Sequence, residues 1–113
     1  MLKMRGNKIT MSRGDFVCFA VDLRDVEGEE ITLREGDALY FSAKKKETDV
    51  NYAIPPKKLD GNVLTLYSED TYDLKFDTYL YDIQLVTKEG RTSTVVKPTP
   101  LVIEETVTAY GDR

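Results

Sequence analysis

The chain has 113 residues, the usual size of one domain, and its 41% hydrophobic and 32% charged residues are typical of a folded globular protein rather than a disordered one. Its 20 acidic and 16 basic residues give a net charge of −4, which disfavours a nucleic-acid-binding face. We therefore expect a single domain over residues 1–113, with a core over about residues 9–108 and frayed ends.

The first half of the chain predicts short strands separated by turns. Apolar alternation places these strands at residues 9–11, 15–23, 31–33 and 39–43. The predicted core face of the second strand consists of Val17, Phe19, Val21 and Leu23. Pro55 and Pro56 lack backbone donors, so the segment that contains them is predicted to be an edge strand or a crossing loop.

The second half continues this pattern. Strands are predicted at residues 63–67, 79–87, 92–96 and 101–108, with turns at residues 60–62 and 88–91. Only residues 68–76 are compatible with a helical turn, and residues 109–113 are expected to form a frayed tail. Strands that recur about every eight to twelve residues predict an all-β fold, namely an immunoglobulin-like antiparallel β-sandwich of about seven to eight strands.

The strand over residues 79–86 is predicted to lie at the centre of a sheet. Its expected core face consists of Tyr79, Tyr81, Ile83 and Leu85. The pair Asp70-Thr71 ahead of Tyr79 resembles the tyrosine corner of immunoglobulin-like sandwiches, in which a tyrosine at the start of a strand bonds to upstream backbone. The paired cysteines and the core tryptophan of antibody domains are absent from this sequence.

The sequence offers little for catalysis. It has no histidine and a single cysteine, Cys18, so it can form neither a Ser-His-Asp triad nor a Cys-His pair, and it has no Cys/His zinc motif. Cys18 is predicted to be a half-buried small residue on the outer face of its strand. We predict no enzymatic activity, no catalytic or metal-binding residues and no cofactor.

Three short motifs have a sharper and a plainer interpretation. Arg13-Gly14-Asp15 matches an integrin-binding tripeptide, but a turn glycine explains it better. The acidic residues from Asp22 to Glu30 could bind calcium, but they lack the spacing of an EF-hand loop. A solvated hairpin tip is therefore the favoured interpretation. Residues 44–46 are three lysines that either contact a phosphate or an acidic partner or, as we favour, protect a strand end from edge pairing.

The outward faces of the predicted strands carry more apolar residues than a solvated sheet needs. Tyr40, Leu80 and Val86 lie opposite the core on strands that are expected to be neighbours. We predict that these three residues anchor a protein–protein interface. The alternative is that a loop or the C-terminal strand of the same chain covers them.

Read in order, several segments resemble small phage and prophage tail or baseplate proteins, in particular the N-terminal domain of baseplate upper proteins from phages of Gram-positive bacteria. The matching segments are residues 9–15, the 17–23 strand, the acidic turn after it, 36–41, 70–71 and 79–85. The resemblance covers roughly residues 9–108, but the segments around Pro55-Pro56 and residues 97–100 depart from it. It implies a virion structural protein without cofactor or catalytic residues, whose partners are other tail or baseplate proteins or further copies of itself.

This resemblance places the protein in the virion after synthesis in the bacterial cytoplasm. The first residues lack the apolar run of a signal peptide, and no later segment has the length of a membrane span, so neither export by that route nor a membrane partner is expected. A carbohydrate- or receptor-binding sandwich is the alternative function. In that case Tyr52, Tyr67 and Tyr72 would stack on a sugar.

Overall fold

A computed structural model describes residues 3–5, 7–25 and 27–107 of the chain. These residues contain eight strands and one short helix. Their bounds are β1 Lys3–Arg5, β2 Lys8–Ser12, β3 Val17–Ala20, β4 Ala38–Lys44, β5 Ile54–Lys58, β6 Val63–Leu66, α1 Ser68–Thr71, β7 Asp77–Val86 and β8 Thr92–Glu104. The helical turn lies within the predicted segment, whereas the predicted tail at residues 109–113 falls outside the described residues.

The strands form two sheets, as predicted for an all-β sandwich. The large sheet has the order β1-β2-β8-β7-β4-β5, and the small sheet pairs β3 with β6. Buried side chains of both sheets belong to one hydrophobic cluster, which is the core between the layers. The prediction of a sandwich with seven to eight strands is confirmed.

One strand pair departs from the predicted antiparallel arrangement. β2 and β8 run parallel, with Ile9 opposite Leu101 and Met11 opposite Ile103. These two strands lie at opposite ends of the described chain, so no tight turn joins them and the long connection through the rest of the sandwich permits parallel pairing. The remaining ladders of both sheets are antiparallel.

The prediction that residues 79–86 lie in a central strand is correct. β7 pairs with β4 on one side and β8 on the other. Tyr79, Tyr81 and Ile83 are buried, whereas Leu85 is partly buried and packs against the core. The Phe41 and Tyr81 rings lie 5.3 Å apart in this core. Burial raises the pKa of Tyr81 to about 12, and its hydroxyl donates a hydrogen bond to the carbonyl oxygen of Asn7.

The tyrosine corner is present in the geometry that its resemblance implied. The Tyr79 hydroxyl donates a 2.8 Å hydrogen bond to the Lys75 carbonyl oxygen, four residues upstream. Asp70 accepts a 2.7 Å bond from the Tyr67 amide at the start of α1, and the fully buried Thr71 hydroxyl accepts a 2.8 Å bond from the Gly14 amide. The connection that leads into β7 is thereby tied to its own backbone and to the β2–β3 turn.

Residues 92–104 form one strand, where the sequence predicted two strands separated by residues 97–100. Pro98 and Pro100 are accommodated because β2 pairs only with residues 101–104 of β8. Upstream of that ladder, β8 has β7 on one side and, within the described residues, no strand on the other, so a missing amide donor on that free side breaks no ladder. The register shifts around Ile83 absorb the irregularity of this stretch.

Two predicted strands in the first half are wrong in extent. β3 covers only residues 17–20 of the predicted 15–23 strand, although Val21 and Leu23 are buried. Residues 31–33 form no ladder within the described chain; they follow an isolated bridge between Arg24 and Glu30, and the Ile31 amide donates a 2.9 Å hydrogen bond to the Leu23 carbonyl oxygen. The apolar side chains of both segments still pack on the core. The alternation of apolar residues therefore indicated burial rather than strand pairing.

Candidate functional site: a groove on the outer sheet face

The outward faces of β4 and β7 meet in a regular array. Cross-strand pairing sets Tyr40 opposite Gln84, Ser42 opposite Asp82 and Lys44 opposite Leu80. These side chains point away from the core, because the residues between them on each strand are buried. Two neighbouring interior strands therefore present alternating aromatic, aliphatic, charged and amide groups on one surface.

A groove of about 290 Å³ runs over this array. Besides the β4 and β7 side chains, its lining includes Glu47 and Tyr52 from the β4–β5 loop, Pro56 from β5 and Pro98 from β8. Tyr40 is 37% exposed and Tyr52 46% exposed, so both tyrosines remain accessible. We call this surface the outer groove; its volume lies near the lower end of the range for small-ligand sites.

The electrostatics of the outer groove centre on Asp82. Desolvation raises the pKa of this half-buried carboxyl, and the positive charge of Lys44 opposes the shift. The Lys44 ammonium also lies 4.9 Å from the centroid of the Tyr52 ring. Together with Glu47, the lining of the groove thus holds two carboxylates and one ammonium.

The structure brings together two of the three predicted interface residues. Tyr40 and Leu80 both line the outer groove. Val86 lies beyond it, half-buried at the end of β7, where it pairs with Ala38 and Thr92. β8 contributes Pro98 to the walls of the groove and the β4–β5 loop contributes Glu47 and Tyr52, while the Tyr40 side chain remains 37% exposed.

Sequence reasoning missed the walls of the groove. The sequence predicts Pro56 only as part of an edge strand or crossing loop and Pro98 only as part of a segment that departs from the family resemblance, and it does not point to Glu47. Their placement depends on the β4–β5 and β7–β8 registers, which the sequence pattern does not give. The signal that the sequence did contain is the outward position of Tyr40 and Leu80, which identifies the floor of the groove but not its walls.

The three tyrosines proposed as a sugar platform do not form one surface. Only Tyr52 lines the outer groove. Tyr67 follows β6 of the small sheet and packs edge-on against Phe16, with ring centroids 5.7 Å apart. Tyr72 is partly buried directly after α1. A sugar site in this fold would therefore use Tyr52 together with Tyr40.

For two of the short motifs, the contacts in the structure agree with the simpler of the two interpretations. Arg13 donates a 3.4 Å hydrogen bond to the Leu74 carbonyl oxygen and lies 4.3 Å from the Phe76 ring centroid, while Gly14 has a positive φ and bonds to Thr71. The tripeptide is thus packed against the α1–β7 connection. In the acidic hairpin, one Asp25 carboxylate oxygen accepts the Glu27 and Glu29 amides, at 2.9 and 3.0 Å. The described part of the chain holds no cluster of His, Cys, Asp and Glu suited to a metal ion.

Two predictions about individual residues are wrong. Lys44–Lys46 do not protect an edge, because β4 lies between β7 and β5; instead Lys45 bonds to the Thr78 carbonyl oxygen at 3.0 Å and pairs with Asp77 at 2.9 Å. Cys18 is exposed rather than half-buried, because the two-stranded layer has nothing packed on its outer face within the described residues. Its sulfur accepts a 3.6 Å hydrogen bond from Thr65.

Comparisons with known proteins assign this chain to no family. Neither the known protein families, nor the curated proteins, nor the solved structures contain a match to this chain. Among the described residues, no helix is long and apolar enough to cross a membrane. The outer groove is therefore interpreted from its own geometry.

Proposed function

We propose that this chain is a non-enzymatic assembly component of a phage or prophage tail or baseplate. It acts through protein–protein contacts, and its partners are other virion proteins or further copies of the same chain, which would bind at the same surface. The order of its segments, which resembles the N-terminal domain of baseplate upper proteins, supports this role. On this proposal the protein is made in the bacterial cytoplasm and functions in the virion.

The observation that carries the proposal is the outer groove across β4 and β7. Tyr40 and Leu80 sit on adjacent interior strands, where the sheet itself holds them in place. A partner that covers them buries apolar surface without ordering a flexible loop, which lowers the entropic cost of binding. Aromatic and aliphatic anchors of this kind commonly dominate the energy of protein interfaces.

The groove chemistry also supports a non-enzymatic role. The chain has no histidine, and its one cysteine lies on β3 in the other sheet, so the groove lacks the usual nucleophile–base pairs. Its ionisable lining residues are two carboxylates, one ammonium and tyrosines. Such a set is suited to recognition by charge, hydrogen bonding and stacking.

A carbohydrate- or receptor-binding module is the second candidate. It is favoured by one observation, namely that the Tyr40 and Tyr52 side chains share a groove with Asp82 and Gln84. Aromatic rings that stack on a pyranose and planar polar groups that bond its hydroxyls are the chemistry of a sugar site. A sugar array that loses its signal on Tyr52→Ala but not on Tyr67→Ala would establish this alternative.

The assembly role is tested by measuring mass in solution. Light scattering after size-exclusion chromatography is applied to the wild type, alone and mixed with the products of neighbouring genes. We expect a complex that Leu80→Asp abolishes, because the new carboxylate would be buried beside Asp82. Phe16→Asp is the matched control, since Phe16 is 62% exposed on the small sheet side and gains the same charge. A complex that survives Leu80→Asp, or a gene neighbourhood without tail genes, would contradict the proposal.

A further inference from the structure

The walls of the outer groove include aromatic rings and prolines. Tyr40 and Tyr52 contribute rings, while Pro56 and Pro98 contribute pyrrolidine surfaces from the strands on either side of β4 and β7. Proline side chains lose almost no conformational freedom when covered, and tyrosines lose little. Grooves lined by aromatic side chains are the surfaces on which extended polyproline II segments dock.

The floor of the groove supplies the hydrogen bonds that such a segment needs. A polyproline II chain has no internal hydrogen bonds, so its carbonyl oxygens need donors from the receptor. Gln84 and the tyrosine hydroxyls provide donors, and Ser42 adds a hydroxyl. Within the described ranges, no side-chain hydrogen bond engages Gln84, so its amide is available to a ligand.

The charges of the lining residues and the topology of the sheet further restrict the kind of ligand that fits the groove. Asp82 and Glu47 outnumber Lys44, which favours a ligand that carries a basic residue beside its prolines. Addition of a strand at the nearest sheet edge is disfavoured, because that edge is β5 and both Pro55 and Pro56 lack amide donors. An extended ligand is therefore directed to the face of the sheet rather than to its edge.

We propose that the outer groove binds an extended, proline-containing segment with a flanking lysine or arginine, contributed by a partner protein. This inference rests on the proposed function, since it names the chemistry of the partner at the same docking face. The prolines pack between Tyr40 and Tyr52, Gln84 donates to a ligand carbonyl oxygen, and Asp82 or Glu47 pairs with the basic residue.

The test is an NMR titration of the ¹⁵N-labelled chain with a synthetic proline-rich peptide that ends in arginine. A second peptide, in which alanines replace the prolines, serves as the ligand control. We expect amide shifts confined to residues that line the groove, with an affinity between micromolar and millimolar. Tyr52→Ala should raise Kd about tenfold or more, which corresponds to the loss of one well-packed ring contact. Asp82→Asn should raise it less and should weaken its dependence on salt.

Tyr67→Ala is the matched control, because this tyrosine has similar exposure, at 52%, but follows a strand of the small sheet. It should leave Kd unchanged, and Tyr40→Ala should repeat the Tyr52→Ala result if the latter variant folds poorly. The inference is overturned if the proline peptide causes no shifts at millimolar concentration, if the alanine peptide binds equally well, or if neutral oligosaccharides alone shift the groove amides. Should the peptide fail while Leu80→Asp still abolishes a complex, the assembly role stands and only the ligand class is wrong.

Discussion

The outer faces of the two sheets carry similar numbers of exposed aromatic rings but differ in what surrounds them. On the small sheet side, Phe16 and Tyr67 are 62% and 52% exposed and pack edge-on against each other. On the large sheet, Tyr40 and Tyr52 are less exposed, yet they share a groove with carboxylate and amide groups. Exposure alone therefore does not mark the better site; concavity and converging polar groups do.

The two layers also differ in how they are held. The interior strands of the large sheet have ladders on both sides, whereas β3 and β6 have only each other within the described residues. A two-stranded sheet is marginal without packing, so the small layer depends on its buried side chains. The large sheet keeps its shape by backbone pairing, which leaves its outer face available for binding.

The largest expected effect is a loss of stability in the small layer. Leu64 on β6 is fully buried, so Leu64→Ala should lower the free energy of unfolding by about 2–5 kcal/mol, as measured by urea denaturation. Its neighbour Thr65, which points outward, is the control, and Thr65→Ala should change stability by less than about 0.5 kcal/mol. Equal effects of the two changes would show that the small layer does not rely on the core.

A smaller loss is expected where the small layer joins the large one. Thr71 is fully buried, and its hydroxyl accepts the Gly14 amide. Thr71→Val keeps the shape but leaves that amide unsatisfied, so stability should fall by about 1–3 kcal/mol. Thr71→Ser, which retains the hydroxyl, should recover part of this loss in the same denaturation experiment. If Ser and Val behave alike, the hydrogen bond contributes nothing.

The tyrosine corner should have a still smaller effect on the large sheet. Tyr79→Phe removes only the hydroxyl that donates to the Lys75 carbonyl oxygen, so the expected destabilisation is about 0.5–1.5 kcal/mol. Tyr72→Phe serves as the comparison, since this partly buried tyrosine lies outside the corner. Thermal unfolding of the two variants should rank Tyr79→Phe as the less stable, and the reverse order would contradict the role given to the corner.

The smallest expected effect is that of Asp82, in the outer groove, on the pH dependence of folding stability. Desolvation raises the pKa of Asp82 in the folded state, so its ionisation opposes folding. Relative to Asp82→Asn, the wild type should therefore lose stability as the pH rises through the carboxylate range. Asp77 should change stability in the opposite direction, because the hydrogen bond from Lys45 lowers its pKa. The stabilisation that the ionised Asp77 contributes is therefore lost as the pH falls. Parallel pH profiles for the two Asn variants would contradict this assignment.

The sequence predicted what depends on local pattern and missed what depends on register. The alternation around Tyr79 correctly identified a central strand and its core face, and the same pattern identified Tyr40 and Leu80 as outward residues. The parallel β2–β8 pair was missed because it joins distant segments, and no periodicity within either strand encodes its direction. The groove walls at Pro56 and Pro98 were missed for the same reason, since β5 and β8 reach β4 and β7 only through tertiary pairing.

The central claim is that a partner covers the outer groove and not the aromatic pair near the small sheet. Hydroxyl-radical footprinting tests it directly, because tyrosine and phenylalanine side chains react when exposed. In the proposed complex with a partner protein, Tyr40 and Tyr52 should become protected, while Phe16 and Tyr67 should react as they do in the free chain. Protection of Phe16 and Tyr67 with no change at Tyr40 and Tyr52 would contradict the account.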